Sequence, residues 1–138
     1  MNRWSAIGLA LLVAGCDRGT SSGSPGVGKK TVVSNGGSYA VIFETQPAPI
    51  PLNAPFALRF SVEPKAAGST SAPIDVEVDA RMPAHFHGMN RVPKLVRHPD
   101  GSFEAEGLLF HMPGQWELYF DITRAGRTER AQVDVNLK

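Results

Sequence analysis

Cysteine occurs once in the 138 residues, at Cys16. A lone thiol forms no internal disulfide and builds none of the Cys-rich zinc motifs. A basic surplus is also missing, with 14 Lys plus Arg against 13 Asp plus Glu. Nucleic-acid binding would show as such a surplus, so none is expected. No apolar run reaches the roughly 20 residues that a membrane-spanning helix needs. Helical periodicity is absent outside the first residues, and no serine sits in a Gly-x-Ser-x-Gly elbow. What remains is 42% hydrophobic and 20% charged, enough for one modest globular domain.

Residues 1–15 read as a targeting segment, with Arg3 ahead of the apolar or small run Ala6 to Ala14. The run ends in Val13-Ala14-Gly15-Cys16, which resembles the lipobox of bacterial lipoproteins. The resemblance implies that Cys16 is acylated and becomes the first residue of the mature chain. The plainer alternative is an ordinary secretory signal with a chance cysteine. In residues 17–28, Gly, Ser, Thr and Pro fill nine of twelve positions, so this stretch buries nothing. Residues 16–35 are thus expected to be a lipidated cysteine and flexible linker, about 25 Å in root-mean-square reach. The folded domain is expected over residues 36–138. These features place the protein in the cell envelope, on a bacterial membrane, facing the periplasm or exterior.

From Ser38 onward the dominant period is two. Phe56, Leu58, Phe60 and Val62 alternate with polar or small neighbours, as do Ile74 to Ala80, Trp116 to Ile122 and Ala131 to Leu137. One wet and one dry face per run is the pattern of antiparallel sheets. Tyr39 to Gln46, Lys94 to Arg97 and Phe103 to Phe110 add strands of less regular alternation. Turn chemistry fits at His98-Pro99-Asp100-Gly101, at Met112-Pro113-Gly114-Gln115 and at Arg124-Ala125-Gly126-Arg127. About seven strands in this length predict an all-β, immunoglobulin-like antiparallel β-sandwich.

Chemistry concentrates in Met82-Pro83-Ala84-His85-Phe86-His87-Gly88-Met89-Asn90 and in His111-Met112. In an extended stretch His85, His87 and Met89 point to one side. If every connection reverses direction, residues 47–54, 82–93 and 112–115 share one end of the sandwich. His85, His87, Met89, His111 and Met112 then converge on one rim, and His98 goes to the other. Imidazole nitrogen with thioether sulfur is a soft set that favours copper, Cu(I) above all. No acidic residue lies between Met82 and Arg97, which argues against zinc. The plainer reading keeps the methionines as adaptable core caps and the histidines as polar loop residues.

Met82-Pro83, the His/Met loop, Asp100-Gly101-Ser102-Phe103 and Phe110-His111-Met112-Pro113-Gly114-Gln115-Trp116-Glu117-Leu118 resemble a YtkA-like, FixH-related domain over residues 75–124. The resemblance implies an immunoglobulin-like sandwich outside the cytoplasmic membrane and, more loosely, copper handling or cytochrome oxidase assembly. FixH proteins resemble membrane-spanning proteins, whereas this chain carries a lipobox. The leading expectation is a lipid-anchored copper chaperone, buffer or assembly factor, with a cuproprotein or oxidase-assembly partner. The alternative is a metal-free interaction sandwich assisting a membrane complex. An enzyme is not expected. His85-x-His87 resembles copper–zinc superoxide dismutase, but that site needs six histidines and this chain has four. Asp75, Glu77 and Asp79 share one strand face, the simple mark of a solvated surface.

Overall fold

The structure is a computed structural model and describes residues 28–67 and 72–138. The expected signal, Cys16 and most of the tether lie outside the described residues. Among the described residues nine strands form two antiparallel sheets packed as a sandwich, so the all-β expectation holds. The strands are β1 (Lys30–Val33), β2 (Tyr39–Gln46), β3 (Phe56–Pro64), β4 (Asp75–Met82), β5 (His87–Gly88), β6 (Lys94–Arg97), β7 (Phe103–Leu108), β8 (Gly114–Arg124) and β9 (Arg127–Leu137). One sheet has the order β1-β2-β3-β7-β6 and the other β5-β4-β8-β9.

Two strands exceed the expected seven. β1 falls within residues 16–35, assigned above to the linker, so the sheet already includes residues 30–33, ahead of the expected boundary at residue 36. Its side chains are mostly exposed, and backbone pairing to β2 holds it. β5 has only two residues and is defined by hydrogen bonding rather than by a hydrophobic pattern.

Alternation explains the core. Phe56, Leu58 and Phe60 of β3 face Val76, Val78 and Ala80 of β4 and Trp116, Leu118, Phe120 and Ile122 of β8 across the interior, and all are buried. Phe120 packs its ring on Phe43 and Phe60, with centroids 5.5 and 5.0 Å apart. The alternation of β7 changes phase within the strand. Phe103 and Ala105 point inward, then Leu108 and Phe110. Gly107, at φ +81°, supplies the extra residue, and the register with β3 shifts between Phe56 and Ala57. That is a β-bulge, which inverts the face of every later residue. The buried apolar side chains among the described residues lie between Tyr39 and Ala131, so a chain of residues 28–138 carries all of them.

Candidate metal centre

The rim is built by register. β4 ends at buried Met82, and Pro83 starts a single 3₁₀ turn, Pro83–His85. Phe86 closes that turn in the left-handed region at φ +56°, its N–H donating to the Pro83 carbonyl at 3.3 Å. The chain then folds back on itself. His87 pairs with Met82 and Gly88 with Arg81, and the Met89 N–H donates to the Ala80 carbonyl at 3.1 Å. Cross-strand partners share a face. Met82 and Ala80 point inward, so His87 and Met89 lie on the inner face as well.

His111 arrives from the β7–β8 connection. Phe110 beside it is buried and stacks on Trp116, with centroids 4.5 Å apart and planes 5° from parallel. The Trp116 indole N–H donates to the Met112 carbonyl at 3.0 Å, and the Asn53 N–H donates to the Phe110 carbonyl at 2.8 Å. These bonds tie residues 47–55 and 109–113 to one end. Gly114 turns the chain into β8 at φ +119°, a conformation other residues resist.

Three imidazoles meet there. The His87 ring lies 5.9 Å from that of His85 and 5.1 Å from that of His111, nearly stacked on the latter. His87 and His111 both set an edge against Trp116, at 5.9 and 5.5 Å. His87 Nδ1 is 3.1 Å from the Gly88 carbonyl oxygen. An Nδ1–H donating there leaves Nε2 with its lone pair free, the usual arrangement of a metal-ligating imidazole. His111 Nδ1 is buried and has no hydrogen-bond partner. A buried polar nitrogen without a partner costs free energy, and a bound water or ion is among the groups that would satisfy it.

Of the two thioethers, Met89 is placed apart from the imidazoles. Met112 is half-buried and packs against the core. Met89 packs there too and lines a groove with Val76, Val78 and Leu95, in which no imidazole takes part. Among the described residues, no group of three or more His, Cys, Asp or Glu side chains stands ready to hold an ion. His98 lies in the β6–β7 turn instead, with Nε2 3.1 Å from Glu104 Oε2.

No protein-family model matches the chain. No curated protein matches it either. Among solved structures, the chain is similar to a DUF4426 family protein from Pseudomonas aeruginosa PAO1. Identity is 10% and the TM-score 0.49, over 80% of this chain and 97% of that one. So distant a likeness says nothing of residues or activity.

Sequence reasoning missed Phe86. The residue is 97% exposed, flanked in sequence by His85 and His87, on a backbone that side chains adopt at a cost. No pattern signal marks it, because a left-handed phenylalanine follows from the closure of the turn and not from periodicity.

Proposed function

We propose that this chain is a lipid-anchored envelope protein that binds copper at the imidazole rim, as a chaperone, buffer or assembly factor rather than a catalyst. One observation carries the reading: His111 Nδ1 is buried without a partner beside the His87 ring. His87 and His111 are the core of the donor set. His85 is exposed on the adjoining turn and joins them by rotating its side chain. Met112 supplies a thioether from the same connection as His111. Met89 is the weakest member of the set, since it is directed into a groove without imidazoles. Nitrogen and sulfur donors without a carboxylate suit copper better than zinc. The resemblance to YtkA-like and FixH-related domains supports the same reading, as does the lipobox at Cys16 for the anchor.

In a chain of residues 28–138, Trp116 is the only tryptophan, and its indole lies within 6 Å of two of the rings by the centroid distances of 5.9 and 5.5 Å. Cu(II) quenches fluorescence at short range, so titration dims Trp116 saturably at one equivalent, and Zn(II) does not. His87→Ala with His111→Ala removes the quenching, and His98→Ala leaves it intact. A double variant that titrates like the parent refutes the site.

The second reading, a metal-free docking sandwich that assists assembly of a membrane complex, rests on Phe86. An aromatic ring held out in water at the rim is the kind of anchor that protein interfaces bury. Copper-loaded periplasm separates the two, because only the first reading gives purified protein with stoichiometric metal.

A further inference from the structure

One long edge of the sandwich carries chemistry that neither the core nor the imidazole rim uses. β5 and β6 are end strands of their sheets, and residues 89–93 join them. Among the described residues β5 covers β4 at Arg81 and Met82, and Asp75 to Asp79 form an edge with no strand beside it. Between this edge and β6 opens a groove of about 370 Å³, lined by the apolar Val76, Val78, Met89 and Leu95 and by the charged Glu77 and Arg91. Val92 also lines it, yet is 95% exposed. A valine in water beside an unfilled apolar groove is a knob and a hole on one surface.

The charges on either side of the groove are opposite. Asp75, Glu77 and Asp79 follow one another along β4, on the side of one sheet. Arg91 and Lys94 lie on the side of the other, with no carboxylate among residues 83–97; Lys94 also approaches Glu106 of β7 at 3.8 Å, and Arg97, on the inner face of β6, sits over the Phe103 ring instead. Arg91 and Glu77 form no ion pair among the described residues. A two-fold axis parallel to the strands, lying in such a surface, sets the bases of one copy on the carboxylates of the other. It also sets each Val92 toward the other copy's groove. A pattern that complements itself under a two-fold rotation is what an isologous interface requires.

We propose that this edge is the interface of a symmetric dimer of this chain. Three features favour a second copy over other occupants. An anionic bilayer would meet the carboxylate row as well as the bases, and its flat surface leaves the groove unfilled. Strand addition to β4 is disfavoured, because Asp75 takes up the Val76 edge amide and Asp79 that of Ala80. Asp75 Oδ1 accepts from the Val76 N–H at 3.1 Å, and Asp79 Oδ1 accepts from the Ala80 N–H at 2.7 Å. Association therefore runs through side chains, and the partner must offer both charges around an apolar knob, as this chain does.

Sedimentation of residues 28–138, from micromolar to about 1 mM, tests the proposal, since 1 mM marks the weak end of useful affinity. A reversible monomer–dimer equilibrium is expected. Val92→Asp and Arg91→Glu each weaken it by about tenfold or more, which corresponds to about 1.4 kcal/mol. Adding Glu77→Arg to Arg91→Glu restores the parent constant to within a few-fold. Both sites are exposed, so circular dichroism and melting stay unchanged and report intact folding. A chain that stays monomeric throughout overturns the proposal, as does a dimer indifferent to Val92→Asp or a charge swap without rescue. A monomer that co-sediments with phosphatidylglycerol vesicles through Arg91 also overturns it, and makes the edge a lipid surface.

Discussion

Trp116 joins the core to the candidate site, and its removal tests both. The side chain is 0% exposed, stacked on Phe110 and edge-on to His87 and His111. Truncating a buried aromatic to alanine costs about 3–5 kcal/mol through lost burial and the cavity left behind. The Met112 carbonyl also loses its indole donor, which adds about 1 kcal/mol where water does not replace it. A domain of this size holds about 5–15 kcal/mol in total, so Trp116→Ala removes about a fifth or more of its stability. Trp116→Phe keeps a ring on Phe110 but deletes the donor and part of the volume, and costs about 1–2 kcal/mol. Urea unfolding of residues 28–138, followed by far-ultraviolet circular dichroism, measures both without needing the tryptophan as reporter. The expected order is parent, then Phe, then Ala, with at least about 3 kcal/mol between the first and last. A loss within about 0.5 kcal/mol for Trp116→Ala is that of a surface site and refutes the inward face of β8.

Other positions test the local arguments. Ala125 and Gly126, at φ +50° and +77°, form the two-residue turn between β8 and β9, and alanine is strained there. Ala125→Asn places a residue suited to that turn and raises stability by roughly 0.5–1 kcal/mol, read as a higher melting temperature. Gly114→Ala meets both a positive φ and the Met82 Cε, 3.0 Å from the new Cβ, and costs about 2 kcal/mol in the same assay. Glu129 accepts hydrogen bonds from the Ser34 and Ser38 hydroxyls and the Ser38 N–H, which hold its carboxyl below the ordinary value of 4.5. Its folded pKa is depressed, so its contribution is present above the unfolded value and fades as pH falls through the lower folded one. Glu129→Gln therefore narrows the stability difference between neutral and acid pH, and an unchanged acid limb in pH-dependent melting contradicts that reading.

The long strands were legible because period two is strict wherever one face is dry. Trp116, Leu118, Phe120 and Ile122 needed nothing further, and all four are buried. β1 was illegible because Lys30, Thr31 and Val33 are exposed, so pairing holds it and no pattern marks it. The uneven alternation of β7 was a true signal of the bulge at Gly107, visible only as disorder in the pattern. The meeting of His85, His87 and His111 followed from strand direction alone. It survived the missed β5, since that strand runs back along β4 and β6 then continues in the same sense opposite β7. Met89 did not follow, because parity gives the end of a sandwich and the face of a strand, not what the side chain packs on. Met89 shares the inner face with His87 yet lines the groove beside Val76 and Leu95.

The central claim is that His87 and His111 bind copper together. Electron paramagnetic resonance of residues 28–138 with one equivalent of Cu(II) tests it directly. The account predicts a single bound species whose hyperfine pattern shows at least two imidazole nitrogens, and one fewer after His111→Ala. A spectrum of free copper, or a bound signal that persists unchanged when His87 and His111 are both replaced by alanine, contradicts it.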